Sequence, residues 1–217
     1  MNDAVRIRGY ARRDREAVRR LCCDTALRGE PADPLFSDRE VVADLLTRYY
    51  TDYEPEATWV AEREGFVVGY LTGCLDRRRY QWLQPVCVVS QASFQAIAGG
   101  ALCRRETWRL LRAVMRTWRL GGGGSPRIPE DYSAHLHVNL ERRVRGQGIG
   151  ERLVTRFLEQ AAAVGARGVY ATIRGDNPPA RRLFERLGFV PVARSLITLP
   201  AGEALEPHET IVYGKRL

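Results

Sequence analysis

The run Arg145-Gly-Gln-Gly-Ile-Gly150 lies between an apolar strand pattern, His135-Leu-His-Val-Asn-Leu140, and a helical pattern carrying Ile149, Leu153, Val154, Phe157, Leu158 and Ala161. A strand, a glycine turn and a helix start together make an anion site. Unpaired backbone N–H groups point out of the first helical turn, the helix dipole favours negative charge there, and glycines let a phosphate touch the main chain. A pyrophosphate is the expected guest, and the alternative is a tight connection that uses glycine for its geometry alone. Two phosphate fingerprints are excluded by spacing. A P-loop needs a lysine, and the only one in the chain is Lys215, while G-x-G-x-x-G fails because Glu151 stands in the third glycine's place.

Candidate proton-transfer groups are fewer. His135 and His137 alternate along the strand and so share a face, and histidine titrates near neutral pH. The competing reading is a hydrogen-bonded histidine at the edge of the core. Asp76 closes an earlier strand, with Arg77 to Arg79 beside it as structural partners. Cys22, Cys74 and Cys87 read as small core residues, and the five cysteines include no C-x-x-C pair and no zinc-like spacing, so no metal is expected.

These groups need a scaffold, and the chain patterns one. Val5–Tyr10 alternates as a strand, and Asp14–Leu27 has helical spacing. The box Ser37-x-x-Glu40 precedes a helix whose apolar face is Val41, Leu45, Leu46 and Tyr49. Thr58–Glu62 and Phe66–Leu75 form a hairpin through Glu64-Gly65. Residues 77–131 read as an insertion holding a helix with adjoining stripes of Trp108, Leu111, Met115, Trp118 and of Arg105, Arg109, Arg112, Arg116, Arg119. That helix is expected to cover the core, with an acceptor lid or an anionic-surface contact as alternatives. A β-α-β-α unit follows: the His135 strand, a helix ending at Gly165, a strand over Val169–Ile173 and a helix over Asn177–Gly188. Phe189–Leu199 and Thr210–Arg216 close the chain as antiparallel strands. The class is therefore α/β or mixed α+β, in one domain spanning residues 1–217.

Composition sets outer limits. With 45% hydrophobic and 28% charged residues the chain is neither disordered nor fibrous. Its net charge of +8 suits a nucleic acid or a nucleotide cofactor and chooses neither. An odd number of cysteines and the lack of a targeting or membrane-spanning stretch point to a reduced, cytoplasmic setting.

Arg145, Gly148 and Gly150 resemble motif A of the GNAT superfamily of N-acetyltransferases, [QR]-x-x-G-x-[GA]. Asn177-Pro-Pro-Ala180 with Leu183-Phe-Glu-Arg-Leu-Gly-Phe189 resembles that family's N-x-x-A-x-x-[LF]-Y-E-[KR]-x-G-F stretch. The likeness is sharp over residues 135–189 and architectural before it. More loosely, the His135 strand and the insertion resemble the acetyltransferase-like domain of O-GlcNAcases and its bacterial relatives.

The resemblance implies a mostly antiparallel central sheet, flanked by helices, with one parallel strand pair around acetyl-CoA. It implies a pantetheine arm along Leu136, His137 and Val138, and a pyrophosphate on the N–H groups of Gly146, Gln147, Gly148, Ile149 and Gly150. Arg145 would add charge, and Asn177 would cap its helix and touch the arm. It further implies direct attack by a primary amine of a small-molecule acceptor; His135, His137 and Asp76 are this chain's own candidate bases. A homodimer is an admissible assembly, and neither membrane nor nucleic acid is the expected partner. Two positions depart from the family. Phe184 stands where a tyrosine acid is usual, and Thr172 where some relatives place a glutamate base. The alternatives are a catalytically silent acyl-CoA-binding or regulatory module and, more weakly, an arginine-rich nucleic-acid binder.

Overall fold

The computed structural model describes residues 5–25, 29–30, 39–90, 100, 103, 105–117, 119, 128–201 and 204–217. β1 (Arg6–Gly9) leads through a 3-10 turn into α1 (Arg15–Thr25), and α2 (Arg39–Arg48) runs on into a π-type turn at Tyr49–Tyr53. β2 (Trp59–Arg63) and β3 (Phe66–Cys74) form the expected hairpin. Its turn residues Glu64 and Gly65 have φ of 51° and 81°, the left-handed pair that matches the twist of the two strands. Then come α3 (Arg77–Leu83), α4 (Arg105–Thr117), β4 (Ala134–Leu140), α5 (Ile149–Ala163), β5 (Gly168–Arg174), α6 (Pro178–Arg186), β6 (Val190–Ala201) and β7 (Ala204–Arg216). Among the described residues the strands form one sheet in the order β1-β2-β3-β4-β5-β7-β6, antiparallel throughout except between β4 and β5.

The two faces of the sheet are closed by different helices. On one, α5 buries Ile149, Leu153, Val154, Phe157, Leu158 and Ala161, the full stripe read from the sequence, against Leu71, Leu136, Val169 and Phe184. Burying Phe157 is worth roughly 2 kcal/mol. The helix sits close because position 73 is glycine: a Cβ there would stand 2.1 Å from Phe157 Cε2. On the other face, α1 packs Val18, Leu21 and Cys22 on Val60, Val67 and Tyr70.

Several boundaries and faces differ from the sequence reading, for physical reasons. α2 turns Val42, Ala43, Asp44 and Thr47 inward and leaves Leu46 exposed. A buried carboxylate needs a cation, and Arg19 of α1 donates to Asp44, so an ion pair rather than the leucines sets the rotation of α2. β7 starts at Ala204, six residues before the predicted Thr210, because pairing with β6 extends it through Glu206, Pro207 and His208, which carry no alternating pattern. α3 had no counterpart in the sequence reading. α1 begins at Arg15, whereas Ser37 and residues 26–28 lie outside the described residues.

The inserted helix α4 packs on β6, with Thr198 N–H donating to Thr117 Oγ1 at 2.7 Å. Its Ala113 is buried, but Trp108 and Met115 face solvent, so the predicted apolar stripe is not the packed face at those two positions. No described residue of α4 lines the cleft between β4 and β5. Among the described residues no helix is long and apolar enough to cross a membrane.

Candidate functional site

β4 and β5 pair only through Ala134 with Val169 and His135 with Tyr170. Beyond that point each strand stays bonded on its outer side, β4 to β3 as far as Leu140 and β5 to β7 as far as Arg174. The inner edges therefore diverge and leave backbone groups free to bind something else. The wedge opens into a cleft of 540 Å³, walled by Leu136 to Leu140 on one side and Ala171 to Arg174 on the other. Leu136, Val138 and Leu140 pack towards α5, whereas His135 and Asn139 face α1 and α2, where Asn139 donates to Thr25 Oγ1 at 2.6 Å.

The glycine turn forms the far end of the cleft. Gly146 and Gly148 have φ of 76° and 74°, and a Cβ on either would meet no atom within 4 Å, so both present bare backbone to open space. The first backbone bond of α5 runs from Arg152 N–H to Gly148 C=O at 3.1 Å, which leaves the N–H groups of Ile149, Gly150 and Glu151 without helical partners. Gln147 steadies the turn by donating to Arg143 C=O at 3.1 Å. Asn177 caps α6, accepting from Ala180 N–H at 3.2 Å, and lines the cleft. Four arginines and one carboxylate, Glu151, line this space, which makes it an anion-attracting cleft.

Arg145 is committed elsewhere than the sequence reading expected. Its guanidinium donates to Leu140 C=O at 3.1 Å and to Gly29 C=O at 2.8 Å, tying the stretch after α1 to the end of β4. It still borders the cleft.

The three candidate proton-transfer residues separate. His137 lines the cleft and is solvent-exposed. The cleft walls strip part of the ring's hydration, and this desolvation lowers its pKa to about 4. His135 is buried one step behind, sharing a 2.9 Å hydrogen bond with the Tyr50 hydroxyl through Nε2. Its ring packs on Tyr80 at 4.6 Å and on Tyr170 at 5.2 Å. Burial, then the neighbouring His137 and Arg77, holds its pKa well below the usual imidazole value. Asp76 is placed away from the cleft and works as the N-cap of α3, accepting from the N–H groups of Arg78 and Arg79 at 2.9 and 3.2 Å. Sequence reasoning expected an arginine side chain there; the partners are backbone amides.

Phe184 is buried at the cleft wall, 5.1 Å from the Phe189 ring, and Thr172 is exposed on the opposite wall. Neither offers a titrating group. The thiols of Cys22 and Cys74 are buried, with that of Cys22 pushed up to about 11 by desolvation, which leaves it protonated at neutral pH. Among the described residues no group of acidic, histidine or cysteine side chains could hold a metal ion. The sequence reading missed Tyr50, Tyr80 and Thr25, which no local pattern marks, and Arg182 and Arg186, whose four-residue spacing on a helix was visible.

Residues 25–189 match the acetyltransferase (GNAT) family. Mycothiol acetyltransferase of Corynebacterium glutamicum is 40% identical over 65 residues, which is 30% of this chain and 21% of that protein. The chain thus spans about a fifth of that curated relative. Among solved structures, SsHAT aligns with a TM-score of 0.70 and 26% identity over 98% of both chains. A phosphinothricin acetyltransferase of Sinorhizobium meliloti, solved in complex with AcCoA, aligns with a TM-score of 0.57 and 16% identity over 98% of this chain and 88% of that one. The last of these speaks to the fold alone.

Proposed function

The chain belongs to the acetyltransferase (GNAT) family, and from that premise we propose that it transfers an acetyl group from acetyl-CoA to a primary amine of a small-molecule acceptor by direct attack. The observation that carries this reading is the wedge between β4 and β5 ending on a bare glycine turn, one cleft that offers an unpaired strand edge and a set of free helical N–H groups. We read residues 77–131 as an insertion in a single such domain.

Bound acetyl-CoA would supply an activated thioester. The free edge of β4 over Leu136, His137 and Val138 would hold the pantetheine arm, and a backbone N–H there would take the charge that develops on the thioester oxygen. Loss of one comparable donor costs about 3 kcal/mol elsewhere. The N–H groups of Gly146 to Gly150 would hold the pyrophosphate. Attack needs a neutral amine. His137 is uncharged at neutral pH, so its imidazole can accept a hydrogen bond from the incoming amine and orient it, while the amine's proton leaves to cleft water. His135, held by Tyr50 and set behind His137, positions rather than contacts the acceptor. Phe184 donates no proton, so the departing thiolate leaves into water.

A second reading rests on that same Phe184 together with Thr172: a domain that binds acyl-CoA without turnover. Steady-state thiol release from acetyl-CoA across a panel of primary amines separates the two. Release with at least one amine supports transfer. Tight calorimetric binding of acetyl-CoA with no release for any amine supports the silent module, and absence of binding refutes both.

A further inference from the structure

The four arginines that line the cleft are of two kinds. Arg145 is bound to two backbone carbonyls, and Arg174 to Asp176 at 2.8 Å and to His208 at 2.9 Å. Arg182 and Arg186 make no hydrogen bond or ion pair with any described residue, although both line the cleft and both are exposed. They stand four residues apart on α6, on one face, where like charges repel. Their neighbour Arg181 faces Glu185 at 3.9 Å, so the helix carries a carboxylate for one arginine and none for the pair on the cleft.

α6 places that pair beside the phosphate end of the cleft. Leu183, between the two arginines in sequence, packs on the start of α5, where a Cβ on Gly150 would lie 3.3 Å from Leu183 Cδ2. Both arginines therefore line the same cleft as the helix start whose N–H groups are free. One mouth thus holds two separate anion-directed features. A pyrophosphate satisfies the backbone N–H groups, and the arginine pair is left for a further anion. Guanidinium forks suit a terminal phosphomonoester, which carries up to two charges and three accepting oxygens.

Resting on the acyl-CoA reading above, we propose that Arg182 and Arg186 bind the 3′-phosphate on the nucleotide of the donor. They thereby select a free nucleotide-bearing thioester over an acyl group on protein-bound phosphopantetheine, which has no nucleotide. The pair is a specificity device at the donor site, remote from the reacting carbonyl.

Calorimetry with CoA and with dephospho-CoA, which differ only in that phosphate, tests this on wild type, on the double variant Arg182→Ala/Arg186→Ala and on Arg181→Ala. Wild type is expected to prefer CoA by about tenfold at low salt, a preference that narrows as salt screens it. The double variant should bind both ligands alike, at the wild-type level for dephospho-CoA, while Arg181→Ala keeps the preference. Equal affinity of wild type for the two ligands, or an intact preference in the double variant, overturns the proposal and leaves the acyl-CoA reading standing. Failure of wild type to bind either ligand overturns both.

Discussion

Replacing Gly148 separates what the backbone needs from what a ligand needs. The residue is the N-cap of α5 at φ 74° and ψ 0°, and an added Cβ would meet no protein atom within 4 Å. An L-residue held in this conformation costs about 1 kcal/mol, which in a chain of this size lowers Tm by about 2–4 °C. Gly65 is a matched control: its φ is 81°, a Cβ there is equally unobstructed, and it lies in the β2–β3 hairpin and not among the residues lining the cleft. Gly65→Ala and Gly148→Ala should therefore lose similar stability. Only the second puts a methyl group where a phosphate must approach, and CoA affinity should fall about tenfold, or 1.4 kcal/mol. Gly148→Asp adds like-charge repulsion. One carboxylate about 5 Å from one phosphate charge at an effective dielectric of about 20 costs about 3 kcal/mol, a loss of about 100-fold. Calorimetry with CoA, run beside thermal denaturation of each variant, supplies both numbers. A folded Gly148→Asp protein that binds CoA within twofold of wild type would refute the pyrophosphate assignment.

Asn177→Ala should remove the cap of α6 and about 1 kcal/mol of stability, with a smaller loss of CoA affinity; a Tm shift without any affinity change would leave Asn177 the capping role alone. Acid stability should follow the histidines. Because His135 and His137 are held below the imidazole value of 6.5, the unfolded chain binds protons first, so stability is full above pH 6.5 and is lost as pH falls towards 4. His135→Gln should flatten that fall by up to about 1.4 kcal/mol per pH unit, and Tm profiles of wild type and variant that stay parallel from pH 6.5 to 4 would contradict it. Phe184→Tyr should change the thiol-release rate only a few-fold, since CoA thiolate leaves without an acid; a rise of about 100-fold at every pH would show that a missing proton donor limits the enzyme.

The parts of the fold that were legible are those whose apolar spacing also decides packing. The stripe from Ile149 to Ala161 predicts α5 because burying it is the helix's main contribution, and Glu64-Gly65 predicts the hairpin because few residue pairs tolerate two positive φ values. α2 failed that logic at one point. Its orientation follows the Arg19–Asp44 pair, and a partner 25 positions away leaves no periodic trace. β7 likewise owes its first six residues to hydrogen bonds with β6 and not to its own side chains.

The donor side of the site was readable for a related reason. Backbone N–H groups and left-handed turns would do its binding; Gly146 and Gly148 hold positive φ and Gly150 lies close against Leu183, which is why these three glycines carried most of the signal. The cluster behind the cleft is made by side chains from separate elements: Tyr50 from the turn after α2, Tyr80 from α3, His135 and His137 from β4. None constrains the residue type at its neighbours in sequence, so only the tertiary structure brings them together. The same contrast divides the arginines. Arg145 occupies a motif position yet is consumed by two carbonyls, whereas Arg186, at the basic position of the second motif, and Arg182, at a variable one, keep their donors free of any described residue on the cleft. A motif identifies where the chain must fold in one way, and the charges available to a ligand are those that folding leaves unpaired.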